Sequence, residues 1–146
     1  MHARRNQFRK GLSPVYVRFY DALCELLPEH WQPVSGLRSY ELQARLYSQG
    51  RSTAGKIVTK AKPGWSWHQY GLASDWEYFP EGRYTPIPYD DPMWIEYQQI
   101  CDKVGVRCLD FERQHNQYAT TLTIKDILEV YASHGQRGVD DILKEE

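Results

Sequence analysis

The stretch Ser66-Trp67-His68-Gln69-Tyr70-Gly71-Leu72-Ala73-Ser74-Asp75 decides how this chain folds. It places an imidazole and a carboxylate seven residues apart, with a glycine between them. Apolar residues surround the carboxylate and predict a strand that enters the core: Leu72, Ala73, Trp76, Tyr78 and Phe79. Residues seven apart face opposite sides of a regular strand, so a turn at Gly71 must fold His68 back over the strand that carries Asp75.

A second group of ligand-type residues, Asp110, Glu112 and His115, follows later in the chain. Catalytic zinc sites use three protein ligands drawn from His, Asp, Glu and Cys, and they keep an open position for water. We therefore predict that His68, Asp75 and His115 bind one Zn²⁺. Glu112, three residues before His115, is the predicted general base, and Asp110 is the alternative.

Spacing alone leaves other interpretations open. Asp75 also fits an ordinary buried hydrogen-bond acceptor, and His68 fits a structural histidine in an aromatic segment. Arg38 lies just before a predicted helix, between Gly36 and Ser39, and its permanent charge suits the stabilisation of an oxyanion. His30 and His134 lie in polar turns and are predicted to be surface residues.

Composition indicates one folded domain over residues 1–146, because 41% of the residues are hydrophobic and the length suffices for one core. The net charge of −1 gives no case for nucleic-acid binding. Residues 1–12 are predicted to form a flexible basic N-terminus. The three cysteines lack C-x-x-C spacing and predict free thiols, and neither a signal peptide nor a membrane-spanning run is recognisable.

Helical periodicity and capping residues predict helices at residues 15–27, between Ser39 and Gly50, and at 91–104, 124–133 and 139–144. Short strands are predicted at 32–35 and 106–109. A turn at Glu81-Gly82-Arg83 predicts that residues 83–85 return as the second strand of a hairpin. Residues 51–64 lack periodicity and predict a long loop. Helices mixed with strands, without βαβ alternation, indicate an α+β fold.

Three blocks of sequence, in a fixed order, resemble a known family. The first is Ser35-Gly36-Leu37-Arg38-Ser39 with Gln43 and the segment 46–51; the second is Ser66-x-His68-x-x-Gly71-x-Ala73-x-Asp75; the third is Glu112-x-x-His115-x-Gln117. Together they resemble the zinc DD-carboxypeptidase and L-alanyl-D-glutamate endopeptidase family (peptidase family M15). The resemblance covers nearly the whole chain from about residue 13.

The resemblance implies a small α+β domain with a central antiparallel sheet flanked by helices, as in hedgehog and DD-peptidase domains. It also implies that His68, Asp75 and His115 bind zinc and that Glu112 is the general base. By the same resemblance Arg38 binds the substrate carbonyl or stabilises the oxyanion, and Ser66 and Gln43 bind substrate.

The third block departs from the family pattern. The family commonly has P-H-F-Q there, whereas this chain has Gln114-His115-Asn116-Gln117. The ligand type is kept, but the neighbours that orient His115 differ. A non-catalytic, zinc-containing module that binds the cell wall is therefore the alternative function.

The expected function is hydrolysis of the peptides of bacterial peptidoglycan, at L-Ala–D-Glu or D-Ala–D-Ala bonds. The protein is expected to be a monomer without stable membrane insertion. Without a signal peptide, it is expected to be made in the cytoplasm and to reach the wall after release, as phage or prophage endolysins do. The segment Lys56 to Gly64 favours the endolysin type.

Overall fold

A computed structural model describes residues 2–146 of the chain. The helices are α1 (His2–Arg9), α2 (Pro14–Leu26), α3 (Tyr40–Ser48), α4 (Met93–Val104) and α5 (Ile124–Lys144). The strands are β1 (Trp31–Ser35), β2 (Ala73–Tyr78), β3 (Arg107–Leu109) and β4 (Glu112–Gln117). Two short 3-10 helices, Trp67–Tyr70 and Pro80–Gly82, precede and follow β2. The predicted α+β class is confirmed.

The four strands form one antiparallel sheet in the order β1-β2-β4-β3. Strand β2 is central, and its residue Asp75 pairs with Ser35 of β1 on one side and with His115 of β4 on the other. The strand order therefore brings residues from three distant parts of the sequence into one row across the sheet.

The core is built largely from aromatic side chains of α2, α4 and the sheet. The fully buried aromatic residues are Tyr16, Tyr20, Trp31, Tyr70, Trp76 and Tyr97. Trp31 of β1 packs on Trp94 and Tyr97 of α4, with ring centroids 5.1 and 5.3 Å apart. The buried aromatic side chains therefore pack the helices against the sheet.

Side-chain caps begin three of the helices where the sequence predicts them. Ser13 accepts a hydrogen bond at the start of α2, Ser39 caps α3, and Thr123 forms a capping box with Asp126 at the start of α5. The predicted break between the last two helices corresponds to Gly135, whose φ of 67° and ψ of −169° interrupt α5.

Among residues 2–146, no helix combines the length and apolar character needed to cross a bilayer.

The predicted hairpin at residues 83–85 is wrong. Residues 80–82 form a 3-10 turn, and the return segment makes one backbone hydrogen bond to β2, from Thr85 N to Tyr78 O. Strand β2 already has β1 along one edge and β4 along the other. The chain does turn at residues 80–82, but the single hydrogen bond of Thr85 does not extend into a strand, and β4 is the strand that pairs with β2 on the side away from β1, at residues 73–75.

The N-terminus also differs from its prediction, because residues 2–9 form helix α1, which packs on β1. The buried guanidinium of Arg5 donates hydrogen bonds to the carbonyls of Cys24, Leu27, Pro28 and Trp31. Three of these carbonyls lie at or just beyond the end of α2, where helical partners run out, and the fourth, of Trp31, begins β1. Arg5, one of the basic residues from which the sequence predicts a flexible terminus, is therefore buried and caps the end of α2.

Candidate metal centre

The side chains of His68, Asp75 and His115 converge in the structure. One ligand atom from each residue lies within 4.8 Å of the other two, and all three residues are buried. His68 Nε2 lies 3.2 Å and His115 Nδ1 lies 3.1 Å from the same carboxylate oxygen, Asp75 Oδ1. The structure thus brings together the three residues that the sequence predicts as zinc ligands.

Local structure explains how His68 reaches Asp75. Asp75 lies on the central strand β2, whereas His68 lies in the preceding 3-10 helix, which Ser66 and Gln69 cap reciprocally. Gly71 ends that helix with a left-handed φ of 67°, a conformation that costs glycine little. The chain turns there, so two residues separated by an odd number of positions face the same cleft, as the sequence predicts.

Each imidazole is oriented by a hydrogen bond on its second nitrogen. His68 Nδ1 lies 2.8 Å from the backbone oxygen of Gly36, and His115 Nε2 lies 2.9 Å from Gln117 Oε1. Both partners are acceptors, so they hold the protons on these two nitrogens. The remaining nitrogens, Nε2 of His68 and Nδ1 of His115, therefore present lone pairs toward Asp75.

This donor set fits a divalent metal ion. Two imidazole lone pairs and a carboxylate oxygen facing one another repel unless a cation or a proton lies between them. Ligand atoms around a tetrahedral zinc ion with bonds of about 2.0–2.1 Å lie roughly 3.3 Å apart, close to the two distances measured here. The residues present could hold a metal ion with little rearrangement.

The ionisation of the carboxylate agrees with this chemistry. Burial alone would raise the pKa of Asp75. When a proton takes the place of the metal ion between the imidazoles and the carboxylate, the charge of His68 and the hydrogen bonds from both histidines outweigh burial and hold that pKa well below its usual value. Burial lowers the pKa of His115, yet the bonded Asp75 carboxylate raises it overall. Asp75 is therefore ionised at neutral pH, and protons compete with a metal ion for His115.

Arg38 contacts the second oxygen of the same carboxylate. Its Nη2 lies 3.4 Å from Asp75 Oδ2 and 3.0 Å from Ser35 Oγ, and its Nη1 donates to Gln43 Oε1 at 2.9 Å. The guanidinium lines the cleft, and its Nε–H has no hydrogen-bond partner in the described part of the chain. Arg38 can therefore hold Asp75 and still donate into the cleft.

Gln43 lies deeper than its predicted role requires. Its side chain is fully buried, and its amide nitrogen donates to Ala61 O at 2.7 Å and to Thr59 Oγ1 at 3.3 Å. Its Oε1 accepts from Arg38 and from Gln69 Nε2. Because these partners use its hydrogen-bonding groups, Gln43 joins Arg38 to the cleft wall; this differs from the predicted contact with substrate.

Glu112 lies beside the three ligand residues, because β4 contains a bulge. Opposite β3, Glu112 pairs with Leu109 and Asn116 with Cys108, so three extra residues lie between the paired positions on β4. The bulge places Glu112 Oε2 3.8 Å from His115 Nδ1. Asp110, the alternative base, is exposed and does not line the cleft.

A buried polar layer lies under the ligand residues, on the opposite face of the sheet. Asn116 donates to Ser74 Oγ and to Tyr97 Oη, at 3.0 Å each, and accepts from Tyr16 Oη. Tyr16 Oη and Ser74 Oγ are also 2.8 Å apart. Since Ser74 and Asn116 pair beside Asp75 and His115, this layer holds the register of the two ligand strands. Asn116 occupies the position where the resembling family has an aromatic residue.

The three ligand residues lie on the floor of a cleft of about 890 Å³. One wall is formed by residues 58–62 of the loop after α3 together with Trp65, and the other contains Leu109, Phe111 and Glu112. Ser66 also lines the cleft, as its predicted contact with substrate requires. The cleft is wide enough to admit a peptide beside these three side chains.

The orienting groups Gly36 and Gln117 were not predicted from the sequence. A backbone carbonyl leaves no signal in residue type. Gln117 did leave one, because residues two apart on a strand face the same side, and Gln117 follows His115 at that spacing.

Comparison with known proteins gives matches over the site. Residues 28–120 match the profile of the VanY family, described as D-alanyl-D-alanine carboxypeptidase. A 40-residue segment is 55% identical to the peptidoglycan L-alanyl-D-glutamate endopeptidase CwlK of Bacillus subtilis (strain 168). That segment covers 27% of this chain and 24% of the relative.

Among solved structures, the chain is similar to an L,D-carboxypeptidase DacB from Streptococcus pneumonia, with 24% sequence identity and a TM-score of 0.49. The superposition covers 88% of this chain and 79% of the other.

Proposed function

This chain belongs to the VanY D-alanyl-D-alanine carboxypeptidase family, and on that premise we propose that it is a zinc peptidase of bacterial peptidoglycan. Its substrate is the stem peptide, cleaved at the L-Ala–D-Glu or the D-Ala–D-Ala bond. The similarity of one segment to an L-alanyl-D-glutamate endopeptidase favours the first bond, and the family description favours the second.

One observation carries the proposal: two oriented imidazoles and an ionised carboxylate converge at the floor of a cleft, with a second carboxylate beside them. A purely structural trio does not need a cleft, and it does not need both imidazole lone pairs aimed at a carboxylate. The proposed ligands are His68, Asp75 and His115.

When bound, a zinc ion would supply a Lewis acid that polarises the scissile carbonyl and lowers the pKa of a water toward about 7. Glu112 then serves as the general base. Its carboxylate, 3.8 Å from His115 Nδ1, takes the proton of the attacking water and delivers it to the leaving amine. The side chain is partly exposed, so it can exchange protons with solvent between turnovers.

Arg38 and Ser66 are proposed to act on the substrate. The Arg38 Nε–H makes no hydrogen bond within the described residues, so we propose that it stabilises negative charge that develops on the carbonyl oxygen. Ser66 positions the peptide from the cleft surface. Gln43, whose polar atoms are used within the protein, positions Arg38 and does not contact substrate.

The remaining expectations stay predictions. These are a monomeric protein, synthesis in the cytoplasm, and action on the cell wall after release of the endolysin type.

The test is digestion of purified peptidoglycan by the zinc-loaded protein, with the new termini identified by mass spectrometry. We expect new amino and carboxyl termini at one bond of the stem peptide, their loss with a chelator, and their return with added zinc. A sample that binds zinc stoichiometrically and leaves every peptide uncut would favour a non-catalytic wall-binding module. A sample that binds no metal would overturn the proposed centre.

A further inference from the structure

The cleft differs in charge from the rest of the chain. The protein as a whole carries a formal charge of −1. The residues that line the cleft include the cations Arg38, Lys60 and Lys62 and the anions Asp75 and Glu112. Both anions belong to the proposed centre, which leaves the lysine wall without a negative counterpart.

Neither lysine forms an ion pair within residues 2–146. Salt bridges in the described part of the chain involve other cations, and both lysines are exposed residues that line the cleft. A lysine with a carboxylate partner in the protein would be neutralised before substrate arrives. Here the positive charge is available to a ligand.

The loop that carries the lysines is held in place although it contains no regular secondary structure. Gln43 donates to Ala61 O, Arg51 donates to Thr59 O at 3.0 Å, and Gln49 donates to Lys56 O at 3.0 Å. These three side chains come from α3 and the turn after it. Hydrogen bonds from α3 and from the turn after it therefore hold the backbone of the loop that carries Lys60 and Lys62.

We propose that Lys60 and Lys62 bind a free carboxylate of the substrate, so that the enzyme selects acidic peptides over amidated ones. The inference rests on the proposed function and adds the substrate class. The carboxylate has two possible sources. One is the α-carboxylate of an internal D-Glu linked through its side chain, and the other is the C-terminal carboxylate of the peptide.

The test uses three synthetic stem peptides: the free acid, one amidated at D-Glu, and one amidated at the C-terminus. We expect one amidation to lower kcat/KM of the wild-type protein about tenfold, and the loss to shrink in high salt because exposed charges are screened. The peptide that shows the loss identifies the source of the carboxylate. The double variant K60M/K62M is expected to cleave the free acid and that amidated peptide equally.

Lys56→Met is the matched control. Lys56 lies on the same loop, is exposed and does not line the cleft, so this variant should retain the wild-type preference. Equal cleavage of all three peptides by the wild-type protein, or an undiminished preference in K60M/K62M, would overturn the inference and leave the proposed function standing.

A binding measurement distinguishes failure of the proposed peptidase activity from failure of the proposed carboxylate site. Calorimetry with the zinc-loaded Glu112→Gln protein should show tighter binding of the free acid than of the amidated peptide. A variant that carries Glu112→Gln together with K60M/K62M should bind the two peptides equally. If no peptide is cleaved by the wild-type protein but this difference is found, the peptidase proposal fails and the carboxylate site holds. If binding shows no difference, the carboxylate site fails.

Discussion

Gln117 Oε1 lies 2.9 Å from His115 Nε2, two residues along the same strand. This contact selects which nitrogen of His115 faces the centre, because the nitrogen that donates to Gln117 cannot also bind a metal ion. On the opposite side of the centre, the Gly36 carbonyl does the same for His68. The geometry of the proposed zinc site therefore depends on residues that do not touch the ion.

Gln117→Leu should weaken zinc binding by about 10- to 100-fold, the usual cost of losing a group that orients a ligand. Affinity is measured by competition with a chromogenic chelator. Gln114→Leu makes the same substitution on the same strand, where the side chain makes no hydrogen bond in the described structure, and should leave affinity unchanged. Equal affinity in both variants would remove Gln117 from the site.

Glu112→Gln should keep the fold and the metal while lowering kcat by at least about 10²-fold, since an amide cannot take a proton from water. Turnover of a stem peptide and elemental analysis of the same sample provide the two measurements. The control is Asp110→Asn, which removes an exposed carboxylate outside the cleft and should leave the rate near that of the wild type. Activity within a few-fold of wild type in Glu112→Gln would exclude it as the base.

Residue type and spacing were sufficient to predict that the side chains of His68 and Asp75 meet, because the turn at Gly71 is a local property. The pairing of β2 with β4 joins residues about forty positions apart, and short-range patterns do not report such contacts. The same limit explains the wrong hairpin at residues 83–85. The buried role of Gln43 depends on Thr59 and Ala61, which the sequence placed only in a loop.

The polar layer under the centre can be tested by a double-mutant cycle. Asn116→Leu removes the hydrogen bonds to Tyr16, Ser74 and Tyr97 and should lower the free energy of unfolding by about 1–3 kcal/mol. Tyr16→Phe removes one of the same partners. The double variant should lose less than the sum of the two single losses, because it leaves fewer polar groups without partners. Urea unfolding measures the three values, and strict additivity would contradict a coupled layer.

Gly71→Ala should destabilise the protein by at least about 3 kcal/mol, from the cost of a left-handed backbone and from a steric clash. A Cβ at residue 71 would lie 2.6 Å from Ser13 N and 2.8 Å from Gly11 O, both backbone atoms. Gly82→Ala isolates the backbone cost: its φ is 76° and no heavy atom lies within 4 Å of the added Cβ, so we expect about 1–2 kcal/mol. Zinc affinity should fall only in the first variant, and similar unfolding midpoints would contradict the close approach.

The structure and the sequence make opposite predictions for Arg5, which allows a decisive test of the N-terminal helix. If residues 1–12 were flexible, Arg5→Met and Arg9→Met would have the same negligible effect on stability. In the structure the buried Arg5 donates to carbonyls between the end of α2 and the start of β1, so Arg5→Met should cost about 2–4 kcal/mol in urea unfolding. Arg9 forms an exposed ion pair with Asp21, and its loss should have a much smaller effect. Equal midpoints for the two variants would mean that α1 does not cap α2 in solution.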